Sequence, residues 1–181
     1  MNRNIDLNKI VCFDTETTGL GKDAEILQLA IVSGTGDILF NELIKPKRQT
    51  SWPEAEKIHH ISPIMVAQSK TIDFYIPNLV NIFNGAEIFV GYNLSYDIRM
   101  LKQSGFPAVH LHRKDCQHID IMKDFAPVFG EKNKNNKYKW QNLSVCANYY
   151  NYNWGNDKAH GALSDTKATL FCFKKLYKVE G

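Results

Sequence analysis

The sequence predicts a mixed α/β sheet with helices on both faces. Three observations carry this. Residues 10–44 read as three successive strands joined by polar turns. Beyond Pro53 apolar residues recur at helical spacing, and short β-rich runs then alternate with further helical stretches. A meander followed by such alternation packs as one sheet between two helical layers.

The first strand starts at Ile10-Val11-Cys12-Phe13, an unbroken apolar run suited to a central position covered on both faces. Gly19 ends it. The run 25–32 is a second strand, 33–37 is a glycine-rich turn, and 38–44 alternates as its hairpin partner. Pro46-Lys47-Arg48 then closes the meander as a solvated basic loop. Pro53 suits a helical first turn, with a short helix to His59. Ser62-Pro63 is an N-cap followed by a first-turn proline. Apolar residues at 72, 75, 76, 79, 80 and 83 mark a helical stripe, in which Pro77 predicts a kink or an early break. A fourth strand covers 87–93, and a helix follows from Ser95 to Gln103, stopped by Ser104-Gly105. Residues 106–118 carry little pattern. A short fifth strand at 116–119 leads through Asp120 into a helix ending near Phe129. Residues 131–140 are polar and basic and read as a loop, 141–149 as a helix, 151–157 as irregular, and about 162–178 as the last helix.

Composition narrows the class. Hydrophobic residues make up 44% and charged residues 23%, as in ordinary soluble globular chains. No apolar run is long enough to span a bilayer, and the first residues lack a signal-peptide core. The 181 residues are most simply one domain over 1–181. A net charge of +3 permits a polyanionic partner without demanding one. Cys12, Cys116, Cys146 and Cys172 are widely spaced with no Cys-x-x-Cys pair, so neither a thiolate zinc site nor a disulfide scaffold is expected. A reducing, cytoplasmic setting fits best.

Chemistry concentrates at the end of the first strand. Asp14 and Glu16 are two apart, so on a strand they share a face. Two carboxylates there repel one another, and one stays protonated unless a cation neutralises the pair. A hard divalent metal with oxygen ligands would do so; the alternative is an acidic turn in solvent. Asp97, in the first turn of the helix after the fourth strand, reads either as a carboxylate favoured by the helix dipole or as a third acid facing Asp14 and Glu16 across a switch point. Asp165 lies one turn into the last helix, and His160 on the loop before it, since five residues do not bring two side chains to one helix face. A histidine beside clustered carboxylates is a candidate general base.

Three segments together carry a resemblance: Asp14-Thr15-Glu16-Thr17-Thr18-Gly19-Leu20, Gly91-Tyr92-Asn93-Leu94-Ser95-Tyr96-Asp97 and His160-Gly161-Ala162-Leu163-Ser164-Asp165. In order and spacing they resemble the three motifs of the DEDDh, DnaQ-like 3′→5′ exonucleases, including the proofreading epsilon subunits of bacterial DNA polymerase III and free-standing relatives. The five-residue step from histidine to aspartate resembles the histidine branch of that family. The resemblance spans nearly the whole chain.

It implies a ribonuclease H-like fold with a five-stranded mixed sheet. Asp14, Glu16, Asp97 and Asp165 would hold two Mg2+ or Mn2+ ions, and His160 would take the proton from the attacking water. Ile58-His59-His60-Ile61-Ser62 matches a family segment that borders the 3′-terminal nucleotide. Thr15, Thr17, Leu20, Ile58, His59, Asn93 and Tyr96 are the implied nucleotide contacts, with Leu20 as a base-stacking wedge. Leu20 and Ile58 could equally be ordinary core. The implied partner is the 3′ end of a single strand, DNA in preference to RNA, with a DNA polymerase as a further partner. The absence of a tail after the last helix speaks against a dedicated polymerase subunit. The rivals are an RNA-trimming exoribonuclease and, from another class, a catalytically silent nucleic-acid-binding module, which the presence of all four acids disfavours. Two positions depart from the family: Tyr92, where relatives commonly carry histidine, and His60, often glycine. Lys132 to Lys139 reads as solvated surface, with phosphate contact as the alternative.

Overall fold

The structure, a computed structural model, describes residues 6–155 and 161–179. Five strands form one sheet: β1 (Ile10–Thr17), β2 (Ile26–Ser33), β3 (Ile38–Leu43), β4 (Ile88–Gly91) and β5 (Gln117–Asp120), in the order β3-β2-β1-β4-β5. β2 pairs antiparallel with β1 and β3, completing the expected meander, while β4 runs parallel to both β1 and β5. The sheet is therefore mixed, with β1 at its centre.

Alternation along β1 divides the core in two. Val11 and Phe13 enter a cluster covered by α3 (Ile72–Gly85) and α4 (Leu94–Gln103). There Phe13, Phe83 and Phe89 meet edge to face at 5.2–5.9 Å, contacts worth about 0.5–1.5 kcal/mol each beyond area burial. Ile10 and Cys12 enter the opposite cluster, beneath α5 (Ile121–Phe129), α6 (Leu143–Tyr149) and α7 (Ala162–Tyr177). α7 lies close on the sheet because small residues face it: Ala162, Thr166, Ala168 and Cys172 are fully buried. The Cys12 thiol reaches the Thr166 carbonyl at 3.5 Å. Cys12, Cys146 and Cys172 pack as buried apolar groups, and all four cysteines are unbridged.

A third, smaller cluster seats α1 (Pro53–His59) and α2 (Pro63–Val66). The β1–β2 register shifts at Glu16/Thr17, stepping past Leu27 on β2. Leu27 packs with Trp52, Ile61 and Val66, and Trp52 Nε1 donates to the Ile61 carbonyl at 2.7 Å. The bulge thus re-aims one side chain to hold the helices beside the end of β1.

Several boundaries differ from expectation: β4 stops at Gly91, short of the expected 93, and α6 starts at Leu143, two residues late. Pro77 neither ends nor shortens α3, which runs on to Gly85 because Ile72, Leu79 and Phe83 anchor it on both sides of the proline. α4 starts at Leu94, one residue early, because Asn93 takes a left-handed conformation (φ 65°) and turns the chain directly into the helix. Gly91 permits that turn: a Cβ there would sit 2.9 Å from the Leu94 side chain. Among the described residues no helix is long and apolar enough to cross a membrane.

Candidate active site

β1 is longer than its parallel neighbour. β4 pairs with it only over Ile10–Cys12, and the chain then leaves β4 for α4. Beyond Cys12 one edge of β1 lacks a strand, and a side chain takes its place. Asp97, in the first turn of α4 and 2% exposed, accepts from Thr15 N at 3.1 Å and from Thr15 Oγ1 at 2.7 Å through the same oxygen. Thr15 points to the α4 face, as alternation requires. Asp14 and Glu16 continue the Ile10/Cys12 face toward α7.

There they meet Asp165. One carboxylate oxygen from each of Asp14, Glu16 and Asp165 lies within 4.8 Å of the other two. Asp97 stands outside this trio in distance but within its field. The Asp14 carboxyl is pushed well above its ordinary value by burial, then by the charges of Asp97, Glu16 and Asp165. Glu16 is pushed up to about 8 by burial, then Asp165 and Asp97. Asp97 is pushed up to about 7 by burial, against the pull of its Thr15 hydrogen bonds. Among the described residues no lysine or arginine lies within ion-pair distance of Asp14, Glu16 or Asp97. Three carboxylate oxygens gathered within 4.8 Å of one another, beside a buried fourth acid, make a site fitted to a hard divalent cation. His160 lies outside the described residues.

Beside the acids a cleft of about 450 Å³ opens between the end of β1, α1 and α4. Thr15, Thr17, Leu20, Ile58, His59, Asn93 and Tyr96 all line it, together with Glu16. Gly19, from the first motif, also lines it, as do Glu54 and Ala55, to which no sequence signal pointed. Leu20 is 78% exposed and Ile58 56%, which removes the ordinary-core alternative for both. A leucine so exposed needs support. The Thr17 and Tyr96 hydroxyls lie 2.6 Å apart and both reach the Gly19 carbonyl. Arg99 stacks over the Tyr96 ring at 5.2 Å and reaches the Leu20 carbonyl at 3.4 Å.

His59 is placed differently from a simple contact. It is buried, and its Nδ1 accepts from Ile61 N at 3.0 Å. The proton therefore sits on Nε2, which donates to the Thr17 carbonyl at 3.1 Å. Burial lowers its pKa and keeps it neutral. His59 clamps α1 to the end of β1, fixing one cleft wall against the other.

The two departures have local reasons. His60 closes α1 in the left-handed conformation (φ 60°), which explains why glycine also suits this position. Tyr92 sends its hydroxyl to the Gln141 and Asn142 carbonyls at 2.9 and 3.0 Å, fastening the entry to α6 beside the site. Asn93 N donates to Asp120 Oδ1 at 3.0 Å, tying the start of α4 to the end of β5.

Comparison with known proteins agrees with this arrangement. The family model RNase_T, described as exonuclease, matches residues 11–173. An uncharacterized exonuclease of Escherichia phage 186, CP81, is 33% identical over 177 residues, covering 93% of this chain and 88% of that protein. Exodeoxyribonuclease 10 of Escherichia coli K12 is 36% identical over 91 residues, half of this chain and 39% of that protein. Exonuclease X, solved with 5′-overhanging duplex DNA, matches with a TM-score of 0.68 at 25% identity, over 95% of this chain and 93% of that one. With a ribonuclease H-like sheet, an acid cluster at the end of its central strand and a family match over most of its length, the chain belongs to the DEDDh, DnaQ-like exonucleases of the RNase_T family.

Proposed function

We propose that this protein is a metal-dependent 3′→5′ exonuclease that removes nucleoside 5′-monophosphates from single-stranded 3′ ends, with DNA preferred to RNA. The observation that carries the reading is the juxtaposition of the Asp14, Glu16 and Asp165 oxygens with a cleft that exposes two large apolar side chains, Leu20 and Ile58. An acid cluster alone would suit many phosphate-handling sites. An acid cluster beside an open apolar cleft suits a polymer end whose last base has left its stack.

Asp14, Glu16, Asp97 and Asp165 would hold two Mg2+ or Mn2+ ions. Such ions, when bound, make a water more acidic and stabilise the leaving oxygen of the phosphodiester. The rest falls to the chain. Thr15 fixes the Asp97 carboxylate through two hydrogen bonds to one oxygen, leaving the other oxygen for a ligand. Leu20 wedges against the terminal base, on a loop held by Thr17, Tyr96 and Arg99. Asn93 and Ile58 complete the cleft, and His59 holds its walls at a fixed spacing. His160, just before α7, takes the proton from the attacking water; it must be neutral to do so.

Matched DNA and RNA strands with magnesium or manganese test the reading. A 5′-labelled strand shortens as a ladder, a 3′-blocked strand survives, and DNA shortens faster than RNA. Rapid internal cutting of a circular single strand would sink the exonuclease assignment, and faster RNA trimming would transfer the protein to the exoribonuclease reading. Co-purification with a DNA polymerase would mark a proofreading role.

A further inference from the structure

We propose that residues 131–140 form a nucleic-acid-binding arm, which holds single strand upstream of the 3′ end by stacking on Tyr138 and Trp140 and by phosphate contacts from Lys134 and Lys137. The charge distribution points there first. The chain has 22 basic and 19 acidic residues. Within 131–140 there are four lysines and one glutamate, so outside it 18 of each remain. The whole formal excess of +3 therefore resides in ten residues.

The segment is also built, not merely polar. Lys132 and Tyr138 pair as an antiparallel bridge, and Lys139 N donates to the Glu131 carbonyl at 2.9 Å. The asparagines shape the turn between them. The Asn133 side chain accepts from Asn135 N at 2.9 Å and Lys137 N at 3.1 Å, and Asn136 takes the left-handed conformation (φ 59°) that asparagine tolerates. Two of the lysines are committed: Lys139 pairs with Glu131, and Lys132 lies 5.2 Å over the Tyr138 ring. Lys134 and Lys137, among the described residues, have no ion-pair partner.

Two aromatic rings stand out from this basic hairpin, Tyr138 46% exposed and Trp140 63%. Exposed rings interleaved with lysines are what single strands bind: bases stack without regard to sequence while phosphates meet the cations. A preformed hairpin orders little on binding, so less of the contact energy is lost. Its root is fastened by Tyr92, just past the end of β4 and next to cleft-lining Asn93, so the arm is rooted at the same end of the sheet as the cleft.

This inference rests on the exonuclease reading for the identity of the strand, and the test separates the two. Binding of a 5′-labelled 20-nucleotide strand is measured by anisotropy in chelator across a salt series, for wild type, Lys134→Ser/Lys137→Ser and Trp140→Ala. Wild type should bind, and the double lysine variant should lose about 1.4 from the slope of log K against log salt, two phosphates at ~0.7 each. Trp140→Ala should weaken binding about 5- to 100-fold at fixed salt. Cleavage of a trinucleotide with magnesium should be unchanged in all three, since it is too short to reach the arm. No binding by wild type in chelator, or variants with wild-type affinity and slope, would overturn the arm. Loss of trinucleotide cleavage in the variants would also overturn it, by placing these residues in the cleft. Wild type that binds strands yet cleaves none would overturn the exonuclease reading and leave the arm standing.

Discussion

Replacing Glu16 with glutamine should make the metal-free protein more stable. Glu16 shares a pocket with Asp14 and Asp165, and its carboxyl is pushed from an ordinary 4.5 up to about 8, first by burial and then by Asp165 and Asp97. A carboxylate whose folded pKa is raised destabilises the fold as pH rises past its unfolded value. The penalty is absent below about pH 4.5, grows through neutrality and is complete above about pH 8. At about 1.4 kcal/mol per pH unit, this interval sets an upper bound of ~5 kcal/mol. Glu16 is partly exposed, so solvent screening reduces that to ~2–3 kcal/mol. For a domain of this length, each kcal/mol moves Tm by about 2–4 °C. In chelator at pH 8.5, Glu16→Gln should therefore melt about 5–10 °C above wild type, and at pH 4.5 the two curves should coincide. Magnesium should reverse the order at pH 8.5. At a thousandfold excess over Kd it stabilises wild type by about 4.1 kcal/mol, more than the gap in chelator, and the variant, lacking one ligand, by much less. Thermal melts at two pH values with and without metal decide the matter. A variant that melts no higher than wild type in chelator, or gains as much from magnesium, would refute both the repulsion and the ligand role.

Three further expectations follow from other residues. Glu25→Gln should cost about 2–3 kcal/mol at neutral pH, because a buried carboxylate accepting from Lys47 N, Arg48 N and Gln49 N at 2.8–3.0 Å loses one acceptor and its charge. Burial raises the Glu25 pKa, but the three backbone donors outweigh it and leave it lowered; the cost should shrink as pH falls below about 4.5, and chemical denaturation at pH 7 and pH 3 checks both magnitude and sign. His160→Ala should lose ~10²–10⁴-fold in turnover and flatten the acid limb of the pH–rate profile, while keeping the magnesium-induced rise in Tm. Leu20→Ala, at an exposed site, should leave Tm within about 1–2 °C yet raise KM for a single strand about tenfold, as steady-state kinetics would show.

What could be read from the sequence was whatever one element carries by itself. The period-2 alternation of β1 placed Asp14 and Glu16 on one face, and the motif order brought Asp97 and Asp165 to the same end of the sheet. All seven expected nucleotide contacts line one cleft. Harder to read were residues whose role depends on another part of the chain. Leu20 and Ile58 are apolar, and only the packed fold tells an exposed cleft side chain from a core residue. Glu25 looked like a polar start to a strand, yet it binds the loop at 47–49, so the basic cluster there is folded around a buried carboxylate. Pro77 broke a local rule that Ile72, Leu79 and Phe83 overrode by burial. Residues 106–118 lacked pattern because they serve their neighbours: Arg113 donates to the Phe83 and Ala86 carbonyls at 2.6 and 2.7 Å, closing the end of α3.

The early end of β4 has a consequence for the life of the chain. Because Asp97 stands in for a missing strand beside Thr15, 82 positions earlier, and Asp165 arrives only with α7, the acid pocket cannot assemble from any contiguous stretch. During synthesis the N-terminal meander emerges first, carrying Asp14 and Glu16 without their partners. Long-range contacts of this kind form late, once chain closure has been paid for. A partly made or partly unfolded copy then lacks the assembled acid pocket. The cell is spared a degradative activity until the last helix has docked, and catalytic competence itself becomes the report that folding is complete.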